Sequence, residues 1–142
     1  MKKTLGSIVR PSDCLSFTDK YRKKKQEHFG LIGLNSQHEV LFCKLMFIGS
    51  DNESLVQPRN LFWELCKKEA SAFIVFHNHP SGYVLPSSND ITSTQKLYTD
   101  GEIMGIQLLD HLIITENSYY SFAEHQNVLG THDEEVRVAE RS

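Results

Sequence analysis

His77 and His79 flank a single residue at the end of the apolar run Phe73 to Phe76, and Asp90 follows within one short loop. In an extended strand, residues two apart face the same side. Both imidazoles therefore project from one face, and their nitrogens converge on a point. Past Pro80 the chain loops to Pro86, and Ser87 with Asp90 stands where the next helix should begin, so a carboxylate can complete the set. Two imidazoles, one carboxylate and an open fourth position make the donor set of a catalytic zinc site. Such an ion lowers the pKa of a water to about 7 and polarises a carbonyl, so amide hydrolysis is the natural chemistry. It further requires a base to carry the proton to the leaving nitrogen and a donor for the oxyanion.

The same residues have a purely structural reading. Pro86-Ser87-Ser88-Asn89-Asp90 is a good helix start, with Ser87 as cap and Asp90 as its acidic partner three residues on. That explains Ser87 and Asp90 without metal. It leaves two histidines and a proline at the mouth of an apolar strand, where a buried charged imidazole would be costly. The two readings are compatible. Asp110-His111 is a further polar pair, but adjacent strand residues point to opposite faces, so at most one of them enters the site from that strand. A structural hydrogen-bonding role is expected for this pair, or the orienting of a histidine ligand. His28, His38, His125 and His132 lack ligand spacing, and Tyr119, Tyr120 and Phe122 read as core and edge-strand residues.

The elements that must position these groups follow from periodicity and punctuation. Pro11-Ser12-Asp13 starts a short basic helix, with Cys14, Phe17 and Tyr21 at helical spacing, ending near Gln26. EHFGLIGLN, from Glu27, reads as a strand covered on both faces, its Gly30 and Gly33 marking close backbone approach. With VLFCKLMFI, from Val40, it forms a hairpin. Pro58 opens a helix carrying Leu61, Phe62, Leu65 and Cys66 on one face, with Trp63 and Glu64 off that stripe. Ser71 to Phe76 delivers the histidines. A helix over 88–104, with Ile91, Leu97, Tyr98 and Met104 as apolar positions, ends at Gly105, and the strands QLLDHLIIT and Tyr119 to Phe122 follow. The order predicts an α/β domain, a mixed β-sheet flanked by helices. Residues 1–26 are then a lead-in with the basic helix, 27–123 the domain, and 124–142 a polar tail.

Charge is uneven along the chain. Residues 1–26 hold eight Lys/Arg against two acids, and the remainder seven against sixteen. The acidic body speaks against a phosphate-tracking surface, and the run Arg22 to Lys25 reads as a solvated helix end. Cys14, Cys43 and Cys66 lack CxxC spacing and suggest reduced thiols in a cytoplasmic protein. No stretch is long and apolar enough to span a bilayer.

His77-Asn78-His79-Pro80, then Ser87 and Asp90, matches the HxHP…SxxD signature of the JAMM (JAB/MPN) metalloprotease superfamily. HNHPSG, PSxxD, LLDHLII and YYSF together closely resemble its RadC-like branch over roughly residues 27–124. The resemblance implies a JAB/MPN domain of cytidine deaminase-like fold that cleaves a peptide or isopeptide bond in a peptide or protein substrate. It implies Zn2+ at His77, His79 and Asp90, with Ser87 stabilising the oxyanion. The family's upstream glutamate, which contacts the activated water as acid and base, falls on Glu27 rather than Glu39, Glu64 or Glu69. Taken alone, Glu27 would read as a surface carboxylate. RadC-like chains often carry Glu after a Pro-Arg pair, where this chain has Asn60, and a small or acidic residue where it has Tyr83. Deamination is disfavoured, since the histidine or cysteine beside a glutamate with a downstream PCxxC is missing. The rival readings are a DNA-associated module, a role linked by name to RadC-like proteins, and a zinc-binding scaffold without turnover.

Overall fold

Apolar residues fill Glu27–Leu34 so densely that the strand can only lie inside a sheet, and it does. In a computed structural model describing residues 3–49 and 57–125, this strand, β1, pairs antiparallel with β2 (Val40–Gly49) on one side and β3 (Ala72–Asn78) on the other. β4 (Gln107–Ile114) runs parallel to β3, and β5 (Tyr119–Ser121) closes the edge antiparallel to β4. The order is β2-β1-β3-β4-β5, a mixed five-stranded sheet. Parallel neighbours need a crossover, which α3 (Ser88–Met104) supplies between β3 and β4. Gly30 and Gly33 let rings lie flat on β1: a Cβ at either would fall 2.1 Å from an atom of Phe76 or Phe42.

Each face of the sheet has its own core. Phe29, Leu31, Phe73, Val75 and Ile113 pack against Leu61, Phe62 and Leu65 of α2 (Pro58–Lys67) and Leu97 of α3. Ile32, Leu34, Ile74, Phe76, Leu112 and Ile114 pack against Ile8, Cys14 and Tyr21 from the N-terminal segment. Between β3 and β4 the register slips once: Phe73 faces Leu108, but Ile74 faces Asp110. Leu109 is thus an extra residue, a bulge that exchanges the faces of everything after it on β4.

Three expectations need correction. The N-terminal helical run is broken into a 3-10 turn (Pro11–Cys14), one α-turn, α1 (Leu15–Thr18), and a second 3-10 turn (Asp19–Tyr21). It stops short of Gln26 because the Lys24 and Gln26 carbonyls are drawn to the Asn78 side chain. Cys66 is exposed while Glu64 is buried, since Lys44 and Lys67 approach that carboxylate at 2.6 and 3.3 Å. On α3, Met104 is exposed, and the buried stripe is Asp90, Thr94, Leu97 and Gly101. Gly105 ends that helix with φ +74°, as expected. The expected polar tail lies outside the described residues from 126 onward, His132 included, as does 50–56 of the expected loop. Among the described residues no helix is long and apolar enough to cross a membrane.

Candidate metal centre

Strand register brings the polar groups together. Phe29 lies opposite His77, and continuing that antiparallel register by two residues sets Glu27 across from His79, on the same face. His77 Nε2 stands 2.9 Å from His79 Nε2 and 3.7 Å from Glu27 Oε1. α3 begins beneath them: Asp90 Oδ1 is 3.3 Å from His77 Nε2, and Oδ2 is 3.1 Å from His79 Nε2. The helix start is also the expected capping box, with Asp90 N–H donating to Ser87 Oγ (3.0 Å) and Ser87 N–H to Asp90 Oδ2 (2.9 Å). The capping-box reading of Asp90 therefore holds, and the same carboxylate lies beside both histidines. A cavity of about 270 Å³ opens over the group, lined by Glu27, His79, Ser87 and Asp90 among others. A larger groove of about 440 Å³ between α2 and α3 contains none of them.

Hydrogen bonds fix which ring nitrogens bear protons. His79 Nδ1 lies 2.6 Å from the Tyr83 carbonyl, which can only accept, so Nδ1 carries the hydrogen and a neutral ring keeps its Nε2 lone pair for the cluster. The loop permits this because Gly82, at φ +85°, turns the chain back after Pro80 and Ser81. For His77 the logic is longer. The Thr94 hydroxyl donates to the Asp90 carbonyl, and so its oxygen accepts from His111 Nδ1–H at 2.6 Å. His111 is 2% exposed, stacked on Phe122 and edge-on to Phe29. Burial, and the neighbouring His77, drive its pKa well below the usual histidine range, so the ring is neutral. Its Nε2 then accepts from His77 Nδ1–H at 2.8 Å, which leaves His77 Nε2 bare and facing Asp90.

Three acceptors thus meet head-on, two imidazole nitrogens and a carboxylate, within 3.3 Å of one another. Such a meeting demands a shared cation, either a proton or a metal. A tetrahedral ion with bonds of 2.0–2.1 Å separates its ligands by roughly 3.3 Å; here the two ring nitrogens stand 2.9 Å apart, and His77 and His79 meet different oxygens of Asp90 at 3.3 and 3.1 Å. Ligand atoms of Glu27, His77 and His79 also lie within 4.8 Å of one another, a group able to hold an ion. The electrostatics follow from the same contacts. Burial lowers the His77 pKa despite Asp90. At His79 burial acts in the same direction, but the hydrogen bonds to Asp90 and Tyr83 outweigh it and the pKa rises. At Asp90 burial is outweighed by both histidines, and its carboxyl is held well below the usual carboxylate range.

A model of the RadC-like JAB domain matches residues 8–128. The chain belongs to the RadC-like JAB domain family. It is 44% identical over 119 residues to a UPF0758 protein of Bacillus licheniformis, covering 82% of this chain and 53% of that one. UPF0758 proteins of Bacillus mycoides and Bacillus pumilus are 42% and 44% identical, with 83% and 82% of this chain and 53% of each relative covered. The chain spans about half the length of these curated relatives.

Within this RadC-like domain the sequence-derived residues Glu27, His77, His79, Ser87 and Asp90 stand at one place. Glu39 and Glu64 are engaged elsewhere, by Asn35 and by Lys44 with Lys67. His111 is the member of its pair that orients a site histidine, and Asp110 is the structural one. Sequence reasoning missed Thr94 and the Tyr83 carbonyl. Thr94 follows Asp90 by one helical turn, and that spacing was the available signal. The main-chain role of Tyr83 left no mark in the sequence.

Proposed function

We propose that the chain is a zinc-dependent amide hydrolase of the JAMM type, cleaving a peptide or isopeptide bond in a peptide or protein substrate. The observation that carries this reading is the convergence of bare nitrogens from His77 and His79 with the Asp90 carboxylate beside Glu27. His77, His79 and Asp90 would hold Zn2+, which when bound supplies a Lewis acid and lowers the pKa of a water to about 7. Glu27, at the cavity wall 3.7 Å from His77 Nε2, takes the proton from the attacking water and passes it to the leaving nitrogen. Ser87 uses its oxygen to cap α3, which leaves its own hydroxyl proton to be donated to the oxyanion. His111 and Thr94 hold His77 in the required tautomer. Unpaired Cys14, Cys43 and Cys66 suit a reducing cytoplasm, to which we assign the chain.

The test is metal content by mass spectrometry together with turnover of a pool of internally quenched peptides. Wild type should carry about one zinc per chain, and His77→Ala/His79→Ala none. Glu27→Gln should keep the zinc and lose on the order of 10²-fold or more in hydrolysis. A Glu27→Gln protein without zinc would make Glu27 a ligand, and an unchanged rate would make the chain a scaffold.

A further inference from the structure

Asn78, the residue between the two site histidines, points to the opposite face of β3 and is fully buried. Its amide nitrogen donates to the carbonyls of Lys24 and Gln26, each at 3.1 Å, and its oxygen accepts from His28 N–H at 2.6 Å. These bonds grip the chain on both sides of Glu27 and draw the Arg22–Lys25 turn against the end of β3. Arg22 secures the turn's other end, donating to the carbonyls of Thr115 (3.2 Å) and Glu116 (3.5 Å) in the β4–β5 connection. The basic run is therefore a fixed part of the fold. It walls a second cavity of about 380 Å³, completed by residues 79–82 and 115–118. His79, Pro80 and Ser81 line this chamber and the metal-site cavity alike, so the two adjoin across that short segment.

Four cations, Arg22 to Lys25, and one carboxylate, Glu116, line the chamber. Arg22 is shared with Asp19 at 2.8 Å, and Lys23 meets Glu116 only at 3.9 Å, both ends well exposed. Lys24 and Lys25 are exposed, and no ion pair is found for either among the described residues. Adjacent ammonium groups facing a concave wall attract carboxylates.

We propose that this basic chamber is a substrate subsite that receives the carboxylates of an acidic peptide segment flanking the amide at the metal centre. The assignment rests on the amide-hydrolase reading. A peptide fits better than a nucleic acid because the cations are confined to one turn.

Fluorescence anisotropy on the full chain tests it with labelled hexaglutamate, hexaglutamine and a 12-nucleotide single strand, in chelator so that neither metal nor turnover is needed. Hexaglutamate should bind at least tenfold more tightly than hexaglutamine, and the preference should shrink as salt rises past about 0.1 M, where screening acts over about 10 Å. Lys24→Glu/Lys25→Glu should weaken hexaglutamate binding at least tenfold, and Lys24→Gln/Lys25→Gln by a smaller factor in the same direction. Lys96→Glu, which lines neither cavity, should stay within twofold. Equal binding of the two peptides, or double variants that bind like wild type, overturns the proposal. So does an oligonucleotide that outcompetes hexaglutamate and is lost in the same variants. Because the assay is metal-free, a chain without zinc would sink the hydrolase reading and leave this result standing, and the converse also holds.

Discussion

Asp110 and His111 are chain neighbours on β4, 4% and 2% exposed, yet they sit in polar networks of opposite kinds. On its face Asp110 receives Ser121 Oγ–H at 2.6 Å, His111 N–H at 2.7 Å and Ala123 N–H at 3.0 Å, and Ser121 Oγ in turn accepts from Glu124 N–H at 3.0 Å. It ties β5 and the following turn to the sheet. On the other face, the bonds run from the Asp90 carbonyl through Thr94 and His111 to His77, and finish on a lone pair beside a cavity. A closed network satisfies itself and contributes structure. An open one ends on a lone pair left for a proton or a metal ion to meet, and this separates a site from a polar core where burial does not.

The largest effect expected on the open face is from Asp90→Ala. It should abolish stoichiometric zinc binding and also cost about 1 kcal/mol as Ser87 N–H loses its acceptor. Ser87→Ala should lose a similar stability in denaturant titration while keeping the metal, which separates Asp90's two roles. Next in size, His111→Phe should weaken zinc 10- to 100-fold in competition with a chromogenic chelator, with Thr94→Val following in the same direction. Nitrogen-15 NMR of the imidazoles should show His77 protonated at Nδ1 in wild type, and a mixture in Thr94→Val. Unchanged affinity in both variants would break the distinction between the faces. On the closed face, Ser121→Ala should cost about 1–3 kcal/mol and leave zinc affinity untouched.

The last effect is one of pH. Burial pushes the Asp110 carboxyl from its ordinary 3.8 up to about 6, against the hydrogen bonds from Ser121, Ala123 and His111. A carboxyl raised on folding contributes stability that is fully present below pH 3.8 and is lost as pH climbs through about 6. Wild type should therefore lose up to about 3 kcal/mol across that window relative to Asp110→Asn, whose side chain does not titrate. Chemical denaturation of both proteins at pH 4 and pH 7 measures it.

Much of this was written locally. Alternation set His77 and His79 on one face, Pro86 to Asp90 spelled a helix start, and the apolar density of 27–34 declared a strand covered twice. The HxHP…SxxD spacing marked His77, His79, Ser87 and Asp90 as one group, and the family resemblance added Glu27. The helix stripes were read less well: Glu64 is buried because Lys44, from a different element, meets it, and such a partner has no signature at position 64. Arg22 to Lys25 does form a solvated end to the helical run, with its lysines exposed, but its tether is a side chain on β3 and has no local signature.

Alternation also showed that only one of Asp110 and His111 can face the histidines, because side chains along a strand take turns. Which one does so depends on the extra residue at Leu109. That bulge exists only where β4 is laid against β3, so the choice belongs to the packed sheet and not to the order of residues.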